Sequence, residues 1–269
     1  MAVNLFTGAT NNNWGTSTNW SQGTVPTASD GHVTTFDNTS PNCTVNTSAR
    51  VCNNIDFTTY TNTITMTNAI SVSGNVTLGA SMGIAGTSLI LGNASGTWTS
   101  NGKTWPNSVT WRTTITITLA DNWNITGSLV TDTSGTITVS GAFNVNISGG
   151  LSVTSSTLLS TTATFNLVGT GTWSGNAYRI NLVINTSGTI TVSGNVVFSG
   201  SGSITYTAGT VITTGSTITI PSANFTMSTP GVQWNAITVS LNGSTLTING
   251  GLLLATTMSI TVGNANFAG

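Results

Sequence analysis

The sequence of 269 residues is almost without charge. It contains no glutamate and one histidine, and its four Lys or Arg and five Asp residues leave a net charge of −1. Charged residues make up 3% of the chain, against about 25% in an ordinary globular protein. Four scattered cations cannot neutralise a phosphate backbone, so nucleic acid is not expected as a partner. Acid–base catalysis needs clusters of titratable groups, so we expect a non-enzymatic protein without a cofactor.

Long apolar runs are also missing. No segment reaches the roughly 18 consecutive apolar residues of a membrane helix, so membrane insertion is not expected. The start, Met1–Gly8, has neither a basic nor an apolar stretch, so no secretory signal peptide is readable. The chain has two cysteines, Cys43 and Cys52. They are a candidate disulfide, and the alternative is two buried thiols in neighbouring strands.

Small polar residues take the place of the charges. Thr, Ser, Asn and Gly number 57, 32, 31 and 31, which together is more than half of the chain. These residues are poor helix formers, so a helical fold is not expected. Hydrophobic residues make up 38% of the sequence, which is not the composition of a disordered chain.

Short segments alternate between an aliphatic residue and Thr or Ser. This period of two is typical of β-strands with one buried face. The clearest segments are Thr63–Thr67, Thr114–Thr118, Thr136–Val139, Thr189–Val192, Thr217–Ile220, Thr245–Ile248 and Ser259–Val262. Ser-Gly, Asn-Gly and Gly-Gly pairs follow several of them and predict turns. The sequence therefore predicts an all-β protein.

Internal repeats favour a parallel β-solenoid among the all-β folds. The hexapeptide Thr136–Gly141 recurs unchanged at Thr189–Gly194, and repeats of unequal spacing fit stacked coils with variable turns. At roughly 20 to 25 residues per coil, the chain would form about 10 to 13 coils. The strand spacing would then give a rod roughly 50 to 60 Å long. Tandem β-sandwiches are the alternative.

The first section differs from the rest. Residues 1–60 contain both cysteines, His32 and four of the nine Asp, Lys and Arg residues. We expect residues 1–60 to form a cap or anchor and residues 61–269 to form the repetitive solenoid. The only acid–imidazole grouping in the sequence is that of Asp30 and His32 with Asp37 or Asp56. Turn-capping carboxylates are the favoured interpretation, and a metal or acid–base site is the alternative.

The opening segment Trp14–Pro26 carries a pattern, Trp-x4-Asn-Trp-Ser-x-Gly-x-Val-Pro, followed by Asp30. It resembles the start of repetitive all-β regions in bacterial surface proteins and phage structural proteins. The Thr-Ile-Thr-Val-Ser-Gly repeats resemble phage tail-fibre β-solenoids and autotransporter-like adhesins. The resemblance implies a structural, adhesive role on a virion or at the extracellular cell surface. A solenoid surface with so little charge is weakly protected against edge-to-edge association, so we also expect a homo-oligomer, such as a trimer, that contacts other virion or surface proteins.

Aromatic side chains are the candidates for ligand binding. Their faces can stack on pyranose rings, and neutral Asn and Thr can bond the hydroxyls of a cell-surface glycan. The alternative is that they fill the corners of the coils. The candidates for glycan stacking are Trp98, Trp105, Trp111, Trp123, Trp173, Tyr178, Tyr206 and Trp234.

Two other functions stay open from the sequence. One is a carbohydrate-binding or carbohydrate-processing solenoid, in which Asp121 and Asp132 would be the paired carboxylates. The other is a self-assembling filament subunit that docks head to tail.

Overall fold

The computed structural model is an all-β molecule. It describes residues 2–46, 48–86, 88–91, 95–112, 114–131, 134–154, 156–220, 224–241, 244–249, 254–262 and 266–268. Apart from its strands, the described chain forms one short 3-10 helix, Ser17–Asn19.

Most strands in the first half of the chain are three to five residues long. They are β1 Ala2–Leu5, β2 His32–Thr35, β3 Cys43–Val45, β4 Arg50–Cys52, β5 Asn54–Asp56, β6 Thr63–Met66, β7 Ile70–Val72, β8 Val76–Thr77, β9 Gly83–Gly86, β10 Ser88–Leu91, β11 Gly96–Thr99, β12 Thr104–Trp105, β13 Ser108–Trp111, β14 Ile115–Leu119, β15 Trp123–Ile125, β16 Leu129–Thr131 and β17 Gly135–Ser140.

Several later strands are longer because they continue around a corner. The later strands are β18 Asn144–Ile147, β19 Leu151–Val153, β20 Ser156–Leu167, β21 Gly171–Gly175, β22 Tyr178–Ser193, β23 Asn195–Val197, β24 Gly202–Ile212, β25 Thr217–Ile220, β26 Phe225–Ser228, β27 Gln233–Leu241, β28 Thr245–Ile248, β29 Leu254–Val262 and β30 Asn266–Ala268.

The strands stack on three faces, which we number in the order in which the chain visits them. The first face holds β1, β2, β5, β8, β11, β14, β17 and the start of β20 in one ladder. The second face holds β3, β6 and β9, and then a ladder from β12 through β15 and β18. The third face holds β4, β7, β10, β13, β16, β19 and β21.

Every pairing between two described strands is parallel, and neighbours in a ladder lie one turn apart in the sequence. Trp98, for example, pairs with Val76 below it and with Leu119 above it. This register confirms the predicted parallel β-solenoid, which makes about ten turns. The sandwich alternative is wrong, because the sheets of immunoglobulin-type sandwiches are antiparallel.

Alternation places aliphatic and aromatic side chains in the bore of the solenoid. In β14, Ile115, Ile117 and Leu119 are buried, whereas the intervening Thr116 and Thr118 are exposed. The bore is filled along its length by one continuous hydrophobic cluster. This core explains why strands with almost no charge form a folded molecule, since burial of apolar area is the main driving force for folding.

The outer surface of the second face carries an asparagine ladder. Asn146 Nδ2 donates to Asn124 Oδ1 at 2.7 Å, and Asn166 Nδ2 donates to Asn146 Oδ1 at 2.7 Å. The central amide, that of Asn146, therefore serves as donor on one side and as acceptor on the other. Identical neutral side chains can pair in this way along a ladder, whereas identical charges would repel. The ladder gives a physical reason for the low charge content.

The asparagine ladder predicts a pH-dependent defect for Asn146→Asp. The ionised carboxylate cannot donate to Asn124 Oδ1, so its pKa in the folded state should lie above the unfolded value of about 3.9. The destabilisation should be small below pH 4, where the protonated carboxyl donates in place of the amide. It should grow to about 1 to 2 kcal/mol at pH 7. The measurement is the urea unfolding midpoint from pH 3 to pH 8.

Asn185→Asp is the control for this experiment. Asn185 is exposed and makes no side-chain hydrogen bond within the described part of the chain. Its change in stability should stay below about 0.5 kcal/mol at every pH. Equal profiles for the two variants would show that the amide ladder adds no stability.

Side chains at the corners extend the ladders beyond the strands. Asn75 Oδ1 accepts from the N–H of Thr97 at 2.8 Å, and Ser128 Oγ accepts from the N–H of Gly150 at 2.9 Å. In each pair the acceptor lies one turn before the donor. These bonds satisfy backbone groups that a turn would otherwise leave unpaired.

The first 60 residues begin the same stack. Their strands β1, β2 and β5 belong to the first-face ladder, which continues through β8 into the rest of the chain. Trp14 and Trp20 of the opening segment are buried, with ring centroids 5.0 Å apart, and Trp20 Nε1 donates to the Trp14 carbonyl at 2.8 Å. Asn19 Oδ1 accepts from the N–H groups of Thr10 and Asn11. The opening pattern therefore builds an aromatic first turn, and its role as a cap or anchor stays a prediction.

Candidate functional site

Seven of the eight aromatic stacking candidates lie in the core. Trp98, Trp105, Trp111, Trp123, Trp173, Trp234 and Tyr178 are each at most 3% exposed. Rings enclosed in this way cannot stack on a ligand, so the prediction of a stacking platform is wrong at these positions. The alternation that places aliphatic residues inward places these rings inward as well.

Tyr206 is the one candidate ring that reaches the surface. It is partly buried against the core, and its hydroxyl donates to the Gly209 carbonyl at 2.7 Å. This bond fixes the ring at the corner between the second and third faces. Tyr206 therefore remains available as a minor contact only.

The carboxylates of the first section cap turns. Asp30 accepts from the N–H and the hydroxyl of Thr27, and Asp56 does the same for Thr58. Partial burial raises the pKa of Asp37, but hydrogen bonds from Thr39 and Ser40 outweigh it and hold that pKa below its ordinary value. Among the described residues, no three His, Cys, Asp or Glu side chains are placed to hold a metal ion.

Asp121 also binds backbone groups. Its two carboxylate oxygens accept from the N–H groups of Ser100 and Asn101, one turn earlier, at 2.7 and 2.6 Å. Its predicted catalytic partner Asp132 lies outside the described residues. A carboxylate that already accepts two backbone hydrogen bonds acts as a corner cap.

Cys43 and Cys52 are free thiols in strands β3 and β4, on neighbouring faces of the same turn, and both are buried. The candidate disulfide is therefore not formed in this structure. Burial raises the pKa of both thiols, and that of Cys52 reaches about 12 although Thr34 opposes the shift. Because the thiolate is the reactive form, both groups should be inert in the folded protein.

Thiol titration tests this assignment. We expect no reaction of the folded protein with a disulfide reagent such as dithionitrobenzoate, because neither sulfur is exposed or ionised. After unfolding in guanidinium without a reductant, two thiols per chain should react. No reactive thiol after unfolding would show that the two cysteines are bridged.

A groove on the third face is a candidate ligand site among the described residues. It lies between the end of β24 and the start of β27 and has a volume of about 360 Å³. This volume is at the lower end of the range for small-molecule sites. Its lining, which we call the third-face groove, is Val211, Ile212, Thr213, Thr214, Gln233, Trp234, Asn235 and Thr256.

A shortened turn creates this groove. Ile218 pairs with Ile237 across 19 residues, whereas Val196 pairs with Ile218 across 22. The chain reaches the third face through the continuous strand β24 in one turn, but through a tight turn at Thr229–Val232 in the next. Pro230 precedes Gly231, whose φ is +76°, and this combination is typical of a type II turn.

The shorter path leaves part of β24 without a neighbour. The segment 210–212 pairs with the segment 189–191 of β22. Among the described strands, none pairs with its other side. An unpaired strand edge offers backbone N–H and C=O groups to a ligand. The sequence signal for this feature was the chain's one Pro-Gly pair, whose effect on the stacking could not be read without the register.

The described lining of the groove is neutral, and it combines apolar and polar side chains. The Trp234 ring is fully buried, whereas Ile212 is 43% exposed. Thr213 Oγ1 donates to the Gln233 carbonyl at 2.8 Å, which links the end of β24 to the start of β27. Among the described lining residues, none is ionisable.

A second depression lies near the start of the chain. It has a volume of about 510 Å³ and is lined by Val25, Pro26, Thr27, Ala28, Ala49, Arg50 and Val51. Among its described lining residues, only Thr27 and Arg50 have polar side chains. Thr27 already bonds Asp30, and the Arg50 side chain packs against Gly15. The third-face groove therefore offers more hydrogen-bonding groups.

Comparison with protein-family models, with curated proteins and with solved structures finds no match to this chain. The part of the chain that the structure describes contains no helix long and apolar enough to cross a membrane.

Proposed function

We propose that this chain is a structural, adhesive rod of a phage particle or a bacterial surface. The observation that carries the proposal is the stack of about ten turns around one continuous apolar core. A ladder of parallel strands is stiff along its axis, because every turn is hydrogen-bonded to the next. At the interstrand spacing, ten turns extend roughly 50 Å.

The outer surface supports an adhesive role. Its ladders present neutral amides and hydroxyls, such as those of Asn146, Thr116 and Thr118. Such a surface has little charge to keep copies of the chain apart. It suits close contact with a second copy, with other particle or surface proteins, and with uncharged polymers. The opening pattern Trp14–Pro26 adds the resemblance to phage and bacterial surface proteins.

The test is the mass of the purified protein by light scattering, with negative-stain imaging of the same sample. A discrete homo-oligomer of short rods, such as a trimer, is the expected result. Open filaments would favour a self-assembling filament subunit instead. A monomer that releases reducing sugar from a polysaccharide, and loses this activity on Asp121→Asn, would contradict the proposal in favour of an enzyme.

A further inference from the structure

The rim of the third-face groove holds hydrogen-bonding groups that the fold does not use. Asn235 Nδ2 donates to the Ser216 carbonyl at 2.9 Å, and its Oδ1 accepts no hydrogen bond from the described residues. Gln233, Thr214 and Thr256 are exposed, and their side chains make no hydrogen bond within the described residues. The Asn146 amide in the second-face ladder, in contrast, is paired on both sides. The groove is thus a place where neutral polar groups remain available to a ligand.

An apolar contact lies beside these polar groups. Ile212 occupies the outward register position that Thr191 occupies one turn earlier. At 43% exposure its side chain presents an aliphatic surface where the ladder would otherwise present a hydroxyl. Burial of this surface against a ligand would be favourable.

The exposed side chain of Ile212 and the neighbouring neutral polar groups together indicate which chemical class of ligand fits the groove. We propose that the third-face groove binds a neutral saccharide, with the C–H face of one pyranose ring against Ile212 and its hydroxyls bonded to Gln233, Asn235 and Thr214. A pyranose ring presents apolar C–H groups on its face and hydroxyls around its edge, which matches an exposed aliphatic side chain beside neutral amides. The volume of about 360 Å³ admits one or two rings.

The neutral lining of the groove should make it selective for uncharged sugars. A sugar carrying a carboxylate or phosphate would give up hydration on entry and find no cation among the lining residues. Such an unpaired charge is costly when it is desolvated. Neutral oligosaccharides should therefore bind in preference to uronate-containing or phosphorylated ones. The inference rests on the proposed adhesive role and names the ligand class for it.

The test is an array of neutral and acidic glycans, followed by titration of the best ligand. Gln233→Ala should weaken binding about tenfold, which corresponds to one hydrogen bond of about 1.4 kcal/mol. Ile212→Thr, which copies the residue of the preceding turn, should weaken it about three- to tenfold. Gln22→Ala is the matched control, because Gln22 is the chain's other glutamine and is exposed near the opposite end. It should leave affinity unchanged, and thermal melting should show that all three variants fold.

The outcomes separate the inference from the proposed function. Neutral-glycan binding that Gln233→Ala and Ile212→Thr do not weaken would overturn the groove assignment and leave the adhesive role standing. Preference for acidic glycans would overturn the ligand class.

A heptapeptide of alternating Thr and Val is included, because the unpaired edge of β24 could also accept a strand. Binding of this peptide without any glycan would assign the groove to protein. The adhesive role itself fails only if the light-scattering and imaging test gives filaments or an active monomeric enzyme.

Discussion

Replacing Trp98 with alanine should destabilise the middle of the rod more than any surface substitution, by about 3 to 5 kcal/mol. Trp98 comes from the first face and is 1% exposed. Its ring lies 5.9 Å from that of Trp111 on the third face and 4.5 Å from that of Trp123 on the second. Removing the ring opens a cavity in the bore, among side chains that come from all three faces. The measurement is the urea unfolding midpoint followed by circular dichroism.

Trp98→Phe separates the packing of the ring from the effect of its buried indole N–H. The indole N–H groups of Trp98, Trp111 and Trp123 are buried and make no hydrogen bond within the described residues. Phenylalanine keeps a ring in the bore and removes a buried donor without an acceptor. We therefore expect Trp98→Phe to cost less than half as much as Trp98→Ala. Equal costs would indicate that the indole N–H has a partner such as a buried water.

The local pattern of the sequence predicted the all-β class of the fold. Alternation such as that of Ile115 and Ile117 with Thr116 specifies a strand with one buried face, and it does so without information from distant residues. The internal repeats added the second argument, because repeats of unequal spacing fit stacked coils with variable turns. Together they favoured a parallel stack, and the register of Trp98 with Val76 and Leu119 confirms it.

The aromatic site was predicted incorrectly because the same alternation was not applied to the tryptophans. Trp98 lies between Thr97 and Thr99, and Trp123 shares the parity of Ile125 in β15. An alternation with a period of two residues therefore predicts that both rings point into the core, and both rings are buried in the structure. The third-face groove depends instead on how one turn stacks on the next, which alternation within a strand does not specify.

The number of residues per turn could not be read from the most obvious sequence repeat, the hexapeptide. The hexapeptide starting at Thr136 lies on the first face, whereas its copy starting at Thr189 lies on the third. Identical strand sequences can occupy different faces because each needs only an inward and an outward side. The turn length is carried by corner glycines: Gly127, Gly149 and Gly171 follow one another at intervals of 22 residues.

Gly171→Ala should destabilise the stack by about 1 to 3 kcal/mol. The three corner glycines lie above one another between the second and third faces, where successive backbones approach closely. A Cβ on Gly171 would lie 2.1 Å from the carbonyl oxygen of Gly149. Backbone cannot rotate away as a flexible side chain can, so two turns must separate or the corner must shift. The measurement is the unfolding midpoint in urea.

Gly31→Ala is the control that distinguishes close approach from loss of glycine flexibility. Gly31 is exposed, has no positive φ, and a Cβ there would meet nothing within 4 Å. Because alanine restricts the unfolded chain, Gly31→Ala should leave stability unchanged or raise it by up to about 1 kcal/mol. If Gly171→Ala were equally harmless, the corner would have room for a side chain, and the glycine spacing would not set the turn. A loss of stability in Gly171→Ala but not in Gly31→Ala would show that backbone contact between turns fixes the number of residues per turn.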